Sequence, residues 1–359
     1  MLKRPVFAAT TAVLAFAAPA SAANYLYVEN GNSVISALEI AKDGSLKEIS
    51  GSPFNSNTTG PGNFGIAVDG TSPYLYTTGT ESDNVAIFSI GADGALTSVS
   101  DTTNAGGTAG ATVLADNNKR LYVSMGYSNE IAAFNVGKNG AKLKPVQGSP
   151  FPVTCPGFCT PNPNTVIING SYLYSIDGYG WYVSAFSIAG NGALTELNSY
   201  ATDYGPLDGV ITKKGTYLYV TNNAHADISG YSVADGVLTQ LAGSPFPAGN
   251  QPNGIAMTPN DKFVYVANYG DGTISGYSAG GGGALDALSG SPFEDGSGTS
   301  PSALAIDAAG EHLFVANSGS LNIAVYDIGK KGSLTPVSGS PFSLNDSQGP
   351  IGLALYEPK

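Results

Sequence analysis

One unit recurs seven times along this chain, and that recurrence limits the possible folds more than any single motif. Its clearest copy runs from residue 263 to 293, FVYVANYGDGTISGYSAGGGGALDALSGSPF: an aromatic strand, a polar loop, a second strand, a Gly-rich turn, a third strand, then Gly-Ser-Pro-Phe. Aligned on the second aromatic of the first strand, the copies fall at Tyr27, Tyr76, Tyr122, Tyr174, Tyr219, Tyr265 and Phe314, with spacings of 49, 46, 52, 45, 46 and 49 residues.

Each copy continues with a segment of alternating apolar residues, such as VAIFSI from 85 or IAVYDI from 323. Alternation over six or seven residues is the period of a half-buried strand, not of a helix. Asp-Gly or Asn-Gly pairs follow in most copies, as at Asp93-Gly94 and Asn139-Gly140, and supply the positive φ that tight hairpins need. A leucine then opens a further strand: Leu46, Leu96, Leu143, Leu194, Leu238, Leu285 and Leu334. Between copies lies one more short apolar segment, small-residue rich, as in GIAV from 65, GIAM from 254 and GLAL from 352. Small side chains suit the innermost strand, where sheets crowd towards an axis. Four strands in each of seven units describe an all-β, seven-bladed β-propeller.

The last inner segment, GLAL, follows seven complete outer sets, whereas the first unit begins directly at Tyr25-Leu26-Tyr27. The C-terminal strand is therefore expected to pair into the first blade and close the ring, which removes the open edge of a repeat array.

Ahead of the repeats, Lys3 and Arg4 precede an apolar run from Val6 to Ala18 that ends in Ala20-Ser21-Ala22, the pattern of a secretory signal. Residues 1–22 are expected to be that signal and 23–359 a single propeller domain, secreted or periplasmic. No later stretch approaches the ~20 apolar residues of a membrane span. Without Lys3 and Arg4 there are 13 Lys+Arg against 27 Asp+Glu, a net charge of −14, which argues against nucleic acid and anionic membrane surfaces as partners. Cys155 and Cys159, in the loop CPGFC, are the only cysteines, and in an oxidising compartment they read as a local disulfide.

The aromatic strand, the Asp-Gly-x-Leu turn and the Gly-Ser-Pro-Phe ending together resemble the YVTN-type propellers of the lactonase family, which includes 6-phosphogluconolactonases and muconate-cyclising enzymes. Val266-Ala267-Asn268 and Val315-Ala316-Asn317 are similar to that family's repeat core. The resemblance covers essentially the whole chain after the signal. It implies His and Arg residues at the channel mouth, often in a Gly-Pro-Arg-His segment ahead of an inner strand, that engage an anionic substrate. The matching places here read Gly60-Pro61-Gly62-Asn63, Gly205-Pro206-Leu207-Asp208, Gln251-Pro252-Asn253-Gly254, Ser300-Pro301-Ser302 and Gly349-Pro350-Ile351. The Gly-Pro frame is kept and the Arg and His are gone. A phosphosugar lactone, which calls for Arg or Lys donors, fits poorly.

In a propeller, the loops between the second and third strands share one face with the connections between blades. That face collects Glu29, Glu81, Asp83, Asp101, Glu130, Asp177, Asp203, Asp208, Asp227, Asp271, Glu294, Asp295 and Asp346, with no Lys or Arg among them. The loop lysines and Arg120 fall on the opposite face. The same acidic face carries Tyr127, Tyr179, Trp181 and Tyr269 as candidate stacking anchors for a sugar ring or a peptide. The chain is thus expected to be a monomeric binding module for a neutral or cationic small molecule, a saccharide or a basic protein segment. No cofactor is required, and calcium is the candidate cation at Glu81, Asp83 and Asn84. The alternative is a lactone hydrolase in which Asp208 or His225 activates water while Asn63 and Asn253 orient the ring. His312, the other histidine, is expected on the far face.

Overall fold

Residues 23–358 are described by the computed structural model, apart from 59–64, 71, 80, 100–102, 108, 158 and 295–298. The expected signal at 1–22, Asn63, Asp101 and Asp295 thus lie outside the described residues. Among those described, no helix is long and apolar enough to cross a membrane.

Seven antiparallel sheets form the molecule. In blade 1 the order from the axis outwards is Pro350–Tyr356, Asn24–Asn30, Val34–Ile40 and Leu46–Glu48. Tyr27 pairs with Ala354 and Val28 with Leu353, so the C-terminal strand supplies the inner strand of the first blade, as the missing segment required. The inner strands touch their neighbours all the way round, Ile66–Asp69 against Ala109–Ala115 and finally Pro350–Tyr356 against Ile66–Asp69. The ring is closed.

Each blade packs on both faces, and burial records it: the aromatic strands bury successive residues instead of alternating ones, as in Leu218, Tyr219 and Val220, all fully buried. Seven hydrophobic clusters of described residues result, one for each seam between blades. The residue two places before the central aromatic lies under the positive-φ glycine of the next blade's outer turn. A Cβ on Gly140 would stand 2.4 Å from the Tyr74 ring, and one on Gly94 2.4 Å from Tyr25. His312 takes the same place at the ring-closing seam, against Gly44, on the face away from the acidic loops as expected.

The outer strand departs from a simple fourth strand. In six blades it consists of two short pieces that both pair with the third, such as Leu285–Ala287 and Phe293–Glu294 with Thr273–Ala279; five of these carry Gly-Ser-Pro-Phe at the break, and blade 2 is split without it. The motif serine fills the gap: Gly276 N donates to Ser291 Oγ at 2.9 Å, and Ser52, Ser149, Ser244 and Ser340 do the same in their blades. Blade 4 lacks the motif and keeps one unbroken outer strand, Leu194–Ala201.

Candidate functional site

Backbone hydrogen bonds tie the two loop types of the acidic face together. The residue before each third strand is left-handed, as at Asp83, Asn129, Trp181 and Ala226, and its carbonyl accepts an N–H from the chain leaving the outer strand. Thr202 N donates to Trp181 O at 2.9 Å, and Ala248 N to Ala226 O at 2.9 Å. Before each inner strand the chain is tied again, as in Asn223 N to Gly205 O at 2.8 Å. Loops held in this way can place side chains around the axis with little freedom.

At the centre of this face the channel opens into a cavity of about 650 Å³. Asp208, Asn253 and Asn164 come to it from three inner strands, and Glu81, Tyr127 and Tyr179 from loops between second and third strands. No Lys, Arg or His is among the described residues lining it. Tyr127 is 79% exposed and Tyr179 70%, although both border the cavity. Large aromatic rings left in solvent beside a concavity are the usual anchors of a ligand.

Asp208 is fixed by its neighbours. Its Oδ1 accepts Gly209 N at 2.8 Å, and its Oδ2 reaches across the seam to Ile255 N at 3.2 Å. Thr221 Oγ1 donates to the Asn253 carbonyl at 2.8 Å and lies 3.2 Å from Asp208 N, which locks the two inner strands in register. Burial raises the carboxyl to about 6 against the pull of those N–H groups, which favour the anion. A carboxyl poised there can exchange a proton near neutral pH or meet a cation.

His225 stands apart from this cavity. Its Nδ1 lies 2.5 Å from Asp203 Oδ1, and its ring stacks on Tyr204 at 4.6 Å between centroids. Tyr204 stacks in turn on Trp181 at 4.0 Å. Trp181 is therefore the end of a three-ring column and does not border the cavity, nor does Tyr269. The four aromatics expected as one platform divide into a cavity pair, Tyr127 and Tyr179, and two outlying rings. Asp203, which sequence reasoning grouped only with the surface acids, turns out to be the partner of His225; nothing in local sequence links positions 22 residues apart in different blades.

The Glu81, Asp83 and Asn84 loop divides in a similar way. Glu81 borders the cavity, while the Asn84 amide is used by Ser82 and by the Asn57 carbonyl. Among the described residues, the one group of three His, Cys, Asp or Glu side chains with donor atoms within 4.8 Å of one another is Asp203, His225 and Asp227.

Two acids counted on this face are in fact interior. Glu29 and Asp177 are fully buried at the ends of second strands, so the surface is less negative than the loop count implied. Thr77 Oγ1 donates to Glu29 Oε1 at 2.6 Å, and Oε2 has no partner among the described residues. Burial raises Glu29 to about 8. Asp177 accepts from Ser184 and Ser175, and burial raises it to about 7.

The opposite mouth of the ring holds a cavity of about 960 Å³ that includes Arg120. Its two terminal guanidinium nitrogens each direct an N–H to a backbone carbonyl, of Lys119 at 3.1 Å and Gly190 at 3.2 Å. Cys155 and Cys159 are joined in a disulfide, in the connection that leads to Asn162 and Pro163 at the cavity wall.

No curated protein matches the chain by sequence. A family model described as lactonase, 7-bladed beta-propeller, matches residues 200–345. Among solved structures, a putative 6-phosphogluconolactonase from Bacteroides fragilis aligns with a TM-score of 0.78 at 16% identity, over 94% of this chain and 99% of that one. A second from Bacteroides uniformis gives 0.79 at 16%, over 93% and 100%. The periplasmic gluconolactonase of Pseudomonas aeruginosa gives 0.76 at 17%, over 93% and 99%. At such identities these likenesses concern the fold alone. The chain is thus a closed seven-bladed β-propeller, and its residues 200–345 match the lactonase, 7-bladed beta-propeller family model.

Proposed function

We propose that this propeller is exported and acts by binding a neutral or cationic ring-bearing ligand, a saccharide foremost, at the channel mouth of its acidic face. The observation that carries the reading is the composition of the cavity: Tyr127 and Tyr179 at the rim, amides of Asn164 and Asn253 on the wall, and carboxylates of Glu81 and Asp208 as the only charges among the described lining residues. An aromatic face meets the apolar side of a sugar ring, amides and carboxylates take its hydroxyls, and an anion would find no cation to pair with. A basic protein segment is the second class that such a face would attract. No cofactor is required, and calcium at the Glu81 loop is an accessory proposal. Export rests on the signal-like N-terminus and on the disulfide, and agrees with the periplasmic description of the Pseudomonas aeruginosa protein.

A second reading has a specific observation in its favour. Asp208, raised to about 6 and lining the cavity, is placed to take a proton from water as that water adds to the carbonyl of an uncharged lactone. Calorimetry with neutral, amino and anionic sugars, alongside acid release from uncharged lactones, separates the two. Binding of neutral or amino sugars that weakens at least ~10-fold in Tyr127→Ala and Tyr179→Ala, without turnover, supports the binding reading. Turnover lost in Asp208→Asn replaces it with the hydrolase, and preferential binding of anionic sugars overturns both.

A further inference from the structure

A second constellation lies on the same face, outside the channel cavity, where blade 4 meets blade 5. Asp203 comes from the connection between the blades, His225 from the following loop, and Asp227 from the start of the third strand of blade 5. We propose that these three side chains form a binding site for a divalent transition-metal ion, with zinc as its probe.

The donor set carries the argument. One imidazole nitrogen and two carboxylate oxygens, one from each residue, lie within 4.8 Å of one another. A mixed nitrogen and oxygen set of this kind suits zinc or its first-row neighbours better than calcium, which takes six to eight oxygens. The loops that build it, residues 202–205, 223–227 and 178–181, contain no Lys or Arg that could neutralise the two carboxylates.

An orphaned acceptor adjoins the cluster. Asn222 is fully buried, and its Nδ2 donates to Asp227 Oδ1 at 2.6 Å and to Ser229 Oγ at 2.9 Å. Its Oδ1 has no partner among the described residues, on the same amide that touches the cluster. The equivalent Asn30 Oδ1 in blade 1 is open in the same way, so this acceptor belongs to the repeat, and the His and Asp donor set is what sets the present site apart.

The site is also held in advance. Asn223 N to Gly205 O and Ala224 N to Tyr204 O fasten the two loops, and Tyr204 N donates to Asp203 Oδ1 at 2.8 Å. The same two loops in blade 6 are fastened by the same backbone bonds, Tyr269 N to Gln251 O and Gly270 N to Asn250 O, but carry other side chains. There Asp271 accepts Asn250 N at 2.6 Å, and no histidine stands beside it. His225 and Asp203 remain partly open to solvent, with side chains 47% and 31% exposed, which leaves room for water or a ligand atom to complete the coordination. On binding, the ion takes the place of the hydrogen between His225 Nδ1 and Asp203 Oδ1, and the neutral imidazole carries its one N–H at Nε2.

The chain's single tryptophan provides the readout, since Trp181 stacks on Tyr204 and Tyr204 on His225. The mature protein, stripped with chelator, is titrated with zinc chloride while Trp fluorescence and the thermal midpoint are followed. A saturable one-to-one fluorescence change and a rise in midpoint are expected. Both should weaken more than ~10-fold in His225→Ala, His225→Gln and Asp227→Asn, each checked for a native circular dichroism spectrum, and persist in Asp271→Asn. No response at millimolar zinc, a response retained in both folded His225 variants, or an equal response to calcium would overturn the site. Because the readout is zinc alone, its failure leaves sugar binding at the channel untouched.

Discussion

The Tyr219 hydroxyl in blade 5 donates to the carbonyl of Gly283 in the outer turn of blade 6, at 2.8 Å and fully buried. Tyr27, Tyr76, Tyr122 and Tyr265 make the same bond to Gly94, Gly140, Gly192 and Gly332. Phe314 cannot, and Tyr174 finds no acceptor in blade 5, whose outer turn is the shorter Asp235-Gly236 hairpin closed by Ala234 and Val237. Tyr219→Phe is therefore expected to cost about 1 kcal/mol, while Tyr174→Phe should lie within ~0.5 kcal/mol of wild type. Urea unfolding of both variants checks the contrast, and equal losses would mean that the hydroxyls do not clamp the seams.

Glycine in those turns is required twice over, by conformation and by space. Gly140 has φ +71, and a Cβ there would overlap the Tyr74 ring, whereas Gly106, at φ +97, faces open space. Gly140→Ala should cost more than about 2 kcal/mol and Gly106→Ala about 1 kcal/mol, compared by thermal unfolding.

The serine of Gly-Ser-Pro-Phe replaces a missing rung of the ladder. Ser291→Ala leaves the buried Gly276 N–H without an acceptor and should cost about 1–3 kcal/mol. Ser278→Ala, which removes an exposed bond to Asp286 O, should cost under ~0.5 kcal/mol. Denaturant midpoints of the two variants distinguish the roles.

Burial raises Glu29 to about 8, Asp177 to about 7 and Asp208 to about 6, so the folded ring holds protons that the unfolded chain has released by about pH 5. Their contribution to stability is full below pH ~4 and is lost as pH rises through 6 to 8. Glu29→Gln keeps a partner for Thr77 and cannot ionise. It should flatten the upper part of this decline and be more stable than wild type at pH 8 by on the order of 1–2 kcal/mol. Thermal midpoints from pH 4 to 9 would show the two curves converging on the acid side; parallel curves would exclude Glu29 as their source.

Blade number, ring closure and the sorting of loops between two faces were all legible in the chain, because a repeat fixes them through local pattern. The period-two alternation, the Asp-Gly turns and the missing inner strand of the first unit each act over a few residues or by simple counting. The candidate site was legible only in part. Asp208, Asn253, Tyr127 and Tyr179 do gather at one cavity. His225 does not join them, because Asp203 and Tyr204 of the neighbouring connection capture its ring. Glu29 and Asp177 read as surface acids, since strand ends and loops look alike in a sequence, yet both are enclosed in the folded ring.

The sequence by itself determined the architecture, since strand, turn and closure follow from hydrophobic period and turn chemistry along the chain. Only the tertiary structure decided which acids face water, which aromatics are open and which residues share a site. Those outcomes depend on contacts across blade seams, such as Asp208 Oδ2 with Ile255 N or Asp203 with His225, between residues that no local pattern relates.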